Sequence, residues 1–305
     1  MVCTRRLICL AGAALLLGSV ASAQAVPPGL AAKAGAEIWY TEQFVVHSKT
    51  VGRDFLIQVA KPPTLATDAK APAVYVMDGN SSFALAAAIM LPSAAGGSIA
   101  PAFIVGVGYP SQKQADWSEL RGRDLTFLHP PPPDPPDPRD PTDPSDRAPT
   151  GEAAKFERFL SEELRPLVEA RYPINRALLA GHSYGGLFAT HVLLNDPTAF
   201  DGYLIGSPSI WAEPGLLDKA AAFRAPSRLP VFIAVGARQA EQKDAFYHMV
   251  SNAEALAARL TDHASNLDVK AWVVPDENHT TVKPAFLVRA LQFALPPPPA
   301  VDPAH

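Results

Sequence analysis

Short apolar, β-branched runs and helix-length stretches take turns along this chain, and that alternation restricts its fold more than any other feature. The β-type runs fall at 44–46, 55–59, 74–77, 102–107, 177–180, 203–205, 231–235 and 269–274. The helical stretches fall at 82–90, 152–170, 184–195, 216–223, 241–260 and 283–294. Within 152–170, Phe156, Phe159, Leu160, Leu164, Leu167 and Val168 recur at three- and four-residue steps, as on a helix with one buried face. Strands separated by helices pair in parallel when each helix crosses back over the sheet. The chain is therefore expected to form an α/β sandwich with a central, mostly parallel sheet of about eight strands flanked by helices. The first two strands, joined by residues 49–53, read as a hairpin, and the helices begin only after the third.

The 305 residues allow one large domain, and 48% apolar against 18% charged residues is ample for a core. Lys plus Arg is 26 against 30 Asp plus Glu, a formal net charge of -4, without the basic excess that a phosphate backbone selects. Nucleic-acid binding is excluded on that ground. The N-terminus carries Arg5 and Arg6, an apolar run from Leu7 to Val20 and then Ala21-Ser22-Ala23, which reads as a secretory signal peptide over 1–23. That run is shorter than the roughly 20 residues of a spanning helix, so no stable membrane insertion is expected after cleavage. Both cysteines, Cys3 and Cys9, lie in the segment removed, which leaves the mature chain without a thiol, a disulfide or a cysteine-ligated metal. A periplasmic or secreted location follows. Arg5-Arg6 leaves open whether export is by the general or the twin-arginine route.

The 32 prolines are twice the usual share, and ten of them fall in residues 130–149. From Asp134 the chain repeats Asp-Pro-x with period three. In a polyproline II helix this aligns Asp134, Asp137, Asp140, Asp143 and Asp146 as one acidic stripe. The segment reads as a solvated insertion within a single domain spanning 24–295, and 296–305 reads as a disordered, proline-rich tail.

The chemistry centres on Gly181-His182-Ser183-Tyr184-Gly185-Gly186, which follows an apolar strand and opens an apolar helix. G-x-S-x-G in that context is a nucleophile elbow: small residues let the chain turn sharply and hold the serine hydroxyl above the sheet. Of the eight histidines, His279 is the expected base, because it follows the last strand and precedes the last helix, at the sheet edge the elbow occupies. The acid that would orient it is less determined. Glu241 is the first choice and Asp244 the second, with Asp276 and Glu277 close to His279 in sequence, and a Ser-His dyad without an acid would also work. The oxyanion needs two amides: Tyr184, after the nucleophile, and Asn80, in the turn after the third strand beside Asp78 and Gly79. Asp78 itself reads as structural. Arg121 and Arg123 are candidates for contacts with an anionic or oxygen-rich substrate. No cofactor or metal is called for.

Taken together, residues 48–62, Tyr75 to Asn80, Arg121 to Thr126, Gly181 to Gly186, Ser207-Pro-Ser-Ile-Trp211 and Glu277-Asn-His279 resemble the "Putative esterase" family of α/β hydrolases. Within that family they most resemble the periplasmic siderophore (enterobactin/salmochelin) trilactone esterases. The resemblance runs from 42 to 294 outside the insertion. It implies an α/β-hydrolase fold, a small-molecule ester as substrate, and a serine esterase in which Ser183 forms an acyl-enzyme and His279 is the base. Two features depart from the family pattern. Phe127 leads into the Asp-Pro-x insertion where relatives often continue with a proline and a short loop, and Gln239 stands where many relatives place the triad acid. The wider family includes S-formylglutathione hydrolases, feruloyl esterases and mycolyltransferases, so substrate identity does not follow from membership. An acyltransferase or peptidase on the same scaffold, or a binding protein that keeps the elbow without catalysis, are the alternative readings. Oligomeric state is not legible.

Overall fold

All eight expected strands form, and they make one sheet. In chain order they are β1 (Thr41–Ser48), β2 (Arg53–Ala60), β3 (Ala71–Met77), β4 (Phe103–Gly108), β5 (Ile174–His182), β6 (Tyr203–Gly206), β7 (Leu229–Gly236) and β8 (Leu267–Val274). Across the sheet the order is β1-β2-β4-β3-β5-β6-β7-β8. β1 and β2 are the expected hairpin, β2 runs antiparallel to β4, and every other pair is parallel. The computed structural model describes residues 37–66, 69–128, 150–241, 247–263 and 266–297. The expected signal peptide, the Asp-Pro-x segment, Asp244 and all but the first two residues of the expected tail lie outside these. From Ile38 onward the chain clusters as one unit.

Helices cover both faces. α1 (Gly79–Ala95) and α8 (Val282–Ala294) pack on one side, where Phe83, Met90, Phe286 and Leu291 meet Val74, Leu178, Leu204 and Phe232 from the strands. On the other lie α3 (Ala153–Arg158), α4 (Arg165–Arg171), α5 (Tyr184–Asn195), α6 (Gly215–Ala222) and α7 (Met249–His263). Strands β3 to β7 are buried on both faces, which is why they read as continuous apolar runs rather than alternations. The expected helix over 152–170 contains a π-helical stretch, Phe159–Leu164, from which Glu163 accepts the amides of Lys49 and Thr50 at 3.0 and 2.9 Å and so pins the β1–β2 turn. The helix expected from 241 begins instead, among the described residues, at Met249. Ala237–Ala240 form a 3-10 turn, and Glu241 is extended.

One helix escaped the sequence reading: α2 (Gln114–Asp124). Trp117 and Leu120 are its apolar contacts with the core, and polar anchors hold it besides. Arg53 and the Tyr109 hydroxyl both donate to the fully buried Asp124 carboxylate, the latter at 3.0 Å. Just beyond, the two ends of the insertion are tied together. Gly151 N donates to Thr126 Oγ at 3.0 Å, and Glu152 N to the Arg123 carbonyl at 2.9 Å.

The β5–α5 turn positions Ser183, the expected nucleophile, and sterics explain its glycines. Ser183 sits at φ 63°, ψ -121°, a region L residues rarely adopt. A Cβ on Gly181 would lie 2.1 Å from the Gly185 carbonyl oxygen, and one on Gly186 would lie 2.6 Å from the Gly206 oxygen. The chain can reverse here only where these side chains are missing.

Two outcomes follow from this packing. Gly186→Ala should cost about 2–3 kcal/mol in urea unfolding, since the atom it meets is the backbone of β6 and cannot swing away; a variant as stable as the parent would mean that the turn relaxes. Burial, outweighing Arg53 and Tyr109, pushes the Asp124 carboxyl up to about 6. That folded value lies above the unfolded one, so the folded chain holds the proton more tightly. The contribution of Asp124 is therefore largest in acid and is lost as pH rises from about 4 through about 6, by up to about 3 kcal/mol. Asp124→Asn should remove this part of the pH–stability slope, and an unaltered slope would acquit Asp124.

Candidate active site

The carboxyl ends of β3, β5, β6, β7 and β8 converge on one edge of the sheet, where ligands of open α/β sheets bind. Four non-glycine residues with positive φ lie just past those ends: Asp78 after β3, Ser183 after β5, Ser207 after β6 and Asp276 after β8. Backbone strain of this kind costs about 1–3 kcal/mol per residue and collects where a site needs it.

Ser183 and His279 share a cavity of about 220 Å3, walled by Tyr184, Trp211, Tyr247 and Met249. Ser209 Oγ lies 3.5 Å from the Ser183 hydroxyl oxygen. Trp211 and Tyr247 are in ring contact at 4.7 Å, and Tyr184 lies 6.2 Å from Trp211, so the cavity has an aromatic wall. Larger cavities of about 350 and 390 Å3 occur elsewhere on the surface and contain neither residue.

The structure brings Gln239, not Glu241, to His279. Gln239 is fully buried in the 3-10 turn after β7. Its Oε1 accepts from His279 Nδ1 at 2.8 Å, and its Nε2 donates to Ser207 Oγ at 2.8 Å. With Nδ1 carrying the proton, Nε2 of His279 is left as an acceptor. Glu241 is exposed, and its carboxylate faces Arg238 at 3.8 Å. The reason is local: the 3-10 turn packs position 239 inward and leaves position 241 in extended, outward chain. Asp276 is also exposed, and Glu277 contributes its backbone carbonyl to Arg238 N at 2.9 Å. The sequence signal for Gln239 was its place in the family resemblance, which implies an acid there.

The two residues expected to supply the oxyanion amides stand at helix starts. Tyr184 is the first residue of α5 and Asn80 the second of α1. The Asn80 side chain bridges to β4: its Oδ1 accepts from Tyr109 N at 2.7 Å and its Nδ2 donates to the Tyr109 carbonyl at 2.8 Å. Neighbouring Asp78 is structural. Arg121 grips it through Nε at 2.7 Å and a terminal nitrogen at 2.9 Å, and lies over the Tyr184 ring at 5.3 Å. The guanidinium expected to meet substrate is thus committed to the turn after β3. Arg123, 3.9 Å from Glu119, has a buried Nε with no partner among the described residues.

Two further side chains were not anticipated. His182, the x of the elbow, is 9% exposed and packs its ring 4.7 Å from that of His279. Burial, then the charges of His279, Lys283 and Arg121, holds it neutral well below the usual histidine range. Lys283, in the first turn of α8, donates to Ser81 Oγ at 3.3 Å. Burial lowers its pKa, with Asp78 opposing and Arg121 adding. Among the described residues no cluster of three or more His, Cys, Asp or Glu could hold a metal ion, and no helix is long and apolar enough to cross a membrane.

Known proteins resemble this chain in sequence and in fold. The "Putative esterase" family profile matches residues 139–273. The chain is 34% identical over 269 residues to the ferri-bacillibactin esterase BesA of Bacillus subtilis, covering 84% of this chain and 90% of that protein. It is 35% identical over 181 residues to the siderophore triacetylfusarinine C esterase of Aspergillus fumigatus, covering 56% of each. In three dimensions it matches the crystal structure of the BES protein from Bacillus cereus with TM-score 0.73 and 33% identity, over 87% of this chain and 99% of that one. The siderophore hydrolase EstA of Aspergillus nidulans gives TM-score 0.72 and 26% identity over 87% and 98%. With that identity carried across nearly the full length of BesA, on an eight-stranded, mostly parallel sheet with the serine at its elbow, the chain belongs to the "Putative esterase" family of α/β hydrolases, close to the siderophore esterases.

Proposed function

We propose that this protein is an exported serine esterase that hydrolyses carboxylic esters of the siderophore class through an acyl-enzyme on Ser183. The observation that carries the reading is the pairing of a strained elbow serine with a histidine whose Nδ1 proton is held by Gln239, both facing one cavity. Ser183 Oγ attacks the ester carbonyl carbon while His279 Nε2 takes its proton. The carbonyl oxygen, now an oxyanion, is received by the amides of Tyr184 and Asn80. The carbon–oxygen bond to the alcohol then breaks, and the alcohol leaves with the proton from His279. Water, deprotonated by the same nitrogen, attacks the acyl carbon, and the acid departs as Ser183 regains its proton.

Gln239 replaces the acid in this scheme. It fixes the imidazole tautomer and ring plane but adds no negative charge to the imidazolium that forms. Arg121 acts from behind, holding Asp78 and the Tyr184 ring. The names of the relatives supply the siderophore class, and the aromatic wall of Tyr184, Trp211 and Tyr247 suits a substrate with planar rings. The basic, apolar and A-x-A pattern at 1–23 supports export to a periplasmic or extracellular space.

A fluorophosphonate probe should label the protein and fail to label Ser183→Ala. Assayed on short p-nitrophenyl esters, feruloyl esters and a catechol siderophore trilactone, Ser183→Ala and His279→Ala should each lose on the order of 10⁶ in turnover. More than a few per cent of activity left in either would mean another nucleophile or base. Transfer of the acyl group to an added alcohol in preference to water would favour an acyltransferase.

Gln239→Ala should slow the enzyme by roughly 10- to 10⁴-fold, the range expected for a group that orients the base without taking its proton. Glu241→Gln should stay within about threefold, as a change at an exposed ion pair would. A loss in Glu241→Gln as large as that in Gln239→Ala would return the orienting role to the carboxylate.

A further inference from the structure

Lys283 is a cation in a place that offers it little. It is the second residue of α8, beside helix amides whose partial charge is positive, and it is partly buried. Its Nζ reaches a hydroxyl, Ser81 Oγ, rather than a carboxylate. The acid that attracts it, Asp78, already accepts from two of the three guanidinium nitrogens of Arg121. Two cations therefore share one carboxylate on a rim where α1, α5 and α8 all begin. His182 brings no counter-charge, since it stays neutral, and its buried Nε2 has no partner among the described residues. A methionine at 283 would fill the same space without a desolvated charge, so packing gives no reason for the lysine.

Its position gives one. Ser81 follows Asn80, Lys283 stands four residues after His279, and His182 immediately precedes Ser183. The cationic rim thus adjoins the nucleophile, the base and the turn after β3, and it lies outside the lining of the aromatic cavity. We propose that Lys283 anchors an anion subsite, which reads a carboxylate on the limb of the ester that the aromatic cavity does not hold. The inference rests on the reading of Ser183 and His279 as an esterase pair, and it makes Lys283 a specificity residue rather than a catalytic one.

Matched ester pairs test it. p-Nitrophenyl hemisuccinate against p-nitrophenyl valerate places the anion on the acyl limb, and N-acetyl-O-benzoylserine against its amide places it on the alcohol limb. The parent enzyme should prefer the anionic member of one pair. In Lys283→Met the anionic-to-neutral ratio of kcat/KM for that pair should fall about 10- to 30-fold, chiefly through KM, and further in Lys283→Glu. In the parent the ratio should also shrink as salt rises from about 0.01 M to about 0.15 M, a measurement that stands even if the variants fail to fold. A ratio indifferent to residue 283 and to salt in both pairs overturns the subsite while leaving the esterase intact. Absence of Ser183-dependent hydrolysis of any of the four esters overturns the esterase reading itself.

Discussion

A hydrogen in place of a side chain at Gly181 leaves just enough room for the carbonyl of Gly185, and the whole reactive edge of the sheet depends on that clearance. If the chain could not reverse there, α5 would not start above β5, Ser183 would not reach its strained conformation, and its hydroxyl would not face the cavity. Gly186 does the same on the β6 side, where the Gly206 carbonyl stands in the way of any Cβ. The strain at Ser183, and at Asp78, Ser207 and Asp276 around it, persists because two apolar layers fix both ends of each strand. The core holds the strained turns at the sheet edge in register.

An amide occupies the place where the family resemblance implies a carboxylate, and this alters the electrostatics more than the geometry. Gln239 satisfies His279 Nδ1 and is itself held by Ser207, so the ring has one orientation and one tautomer. A neutral partner needs no counter-charge and costs less to bury than a carboxylate would at full burial. In the proposed mechanism it also leaves the imidazolium of His279 without an adjacent anion. In that scheme the neutrality of His182, packed against His279, keeps a second positive charge away from the proposed base.

Polar anchors supplement the short apolar face, Trp117 and Leu120, by which α2 meets the core. Arg121 reaches forward to Asp78 and the Tyr184 ring, while Asp124 reaches back to Arg53 and Tyr109. Tyr109 is bonded in turn to Asn80, so one network links the β2 start, the β4 end, the turn after β3 and the root of the insertion. Each member is buried or partly buried, which makes the network expensive to leave half satisfied and hence specific in its geometry.

Hydrophobic periodicity by itself determined the eight strands, the helices with apolar stripes and the hairpin at the start, because burial on one or both faces writes a period into the chain. The elbow was equally legible, since a tight turn demands glycine at fixed offsets from the serine, and His279 followed from chain order along the sheet edge. Only the tertiary structure decided what lies opposite His279. Position 239 points inward and 241 outward because of a single 3-10 turn, and neither residue type announces that turn. The same holds for α2, whose charged sequence looks like a surface segment until Asp78, Arg53 and Tyr109 are brought to it from distant strands. Local sequence specifies how a segment buries its own apolar face; which polar groups meet across the fold depends on distances between segments, and these exist only once the sheet has assembled.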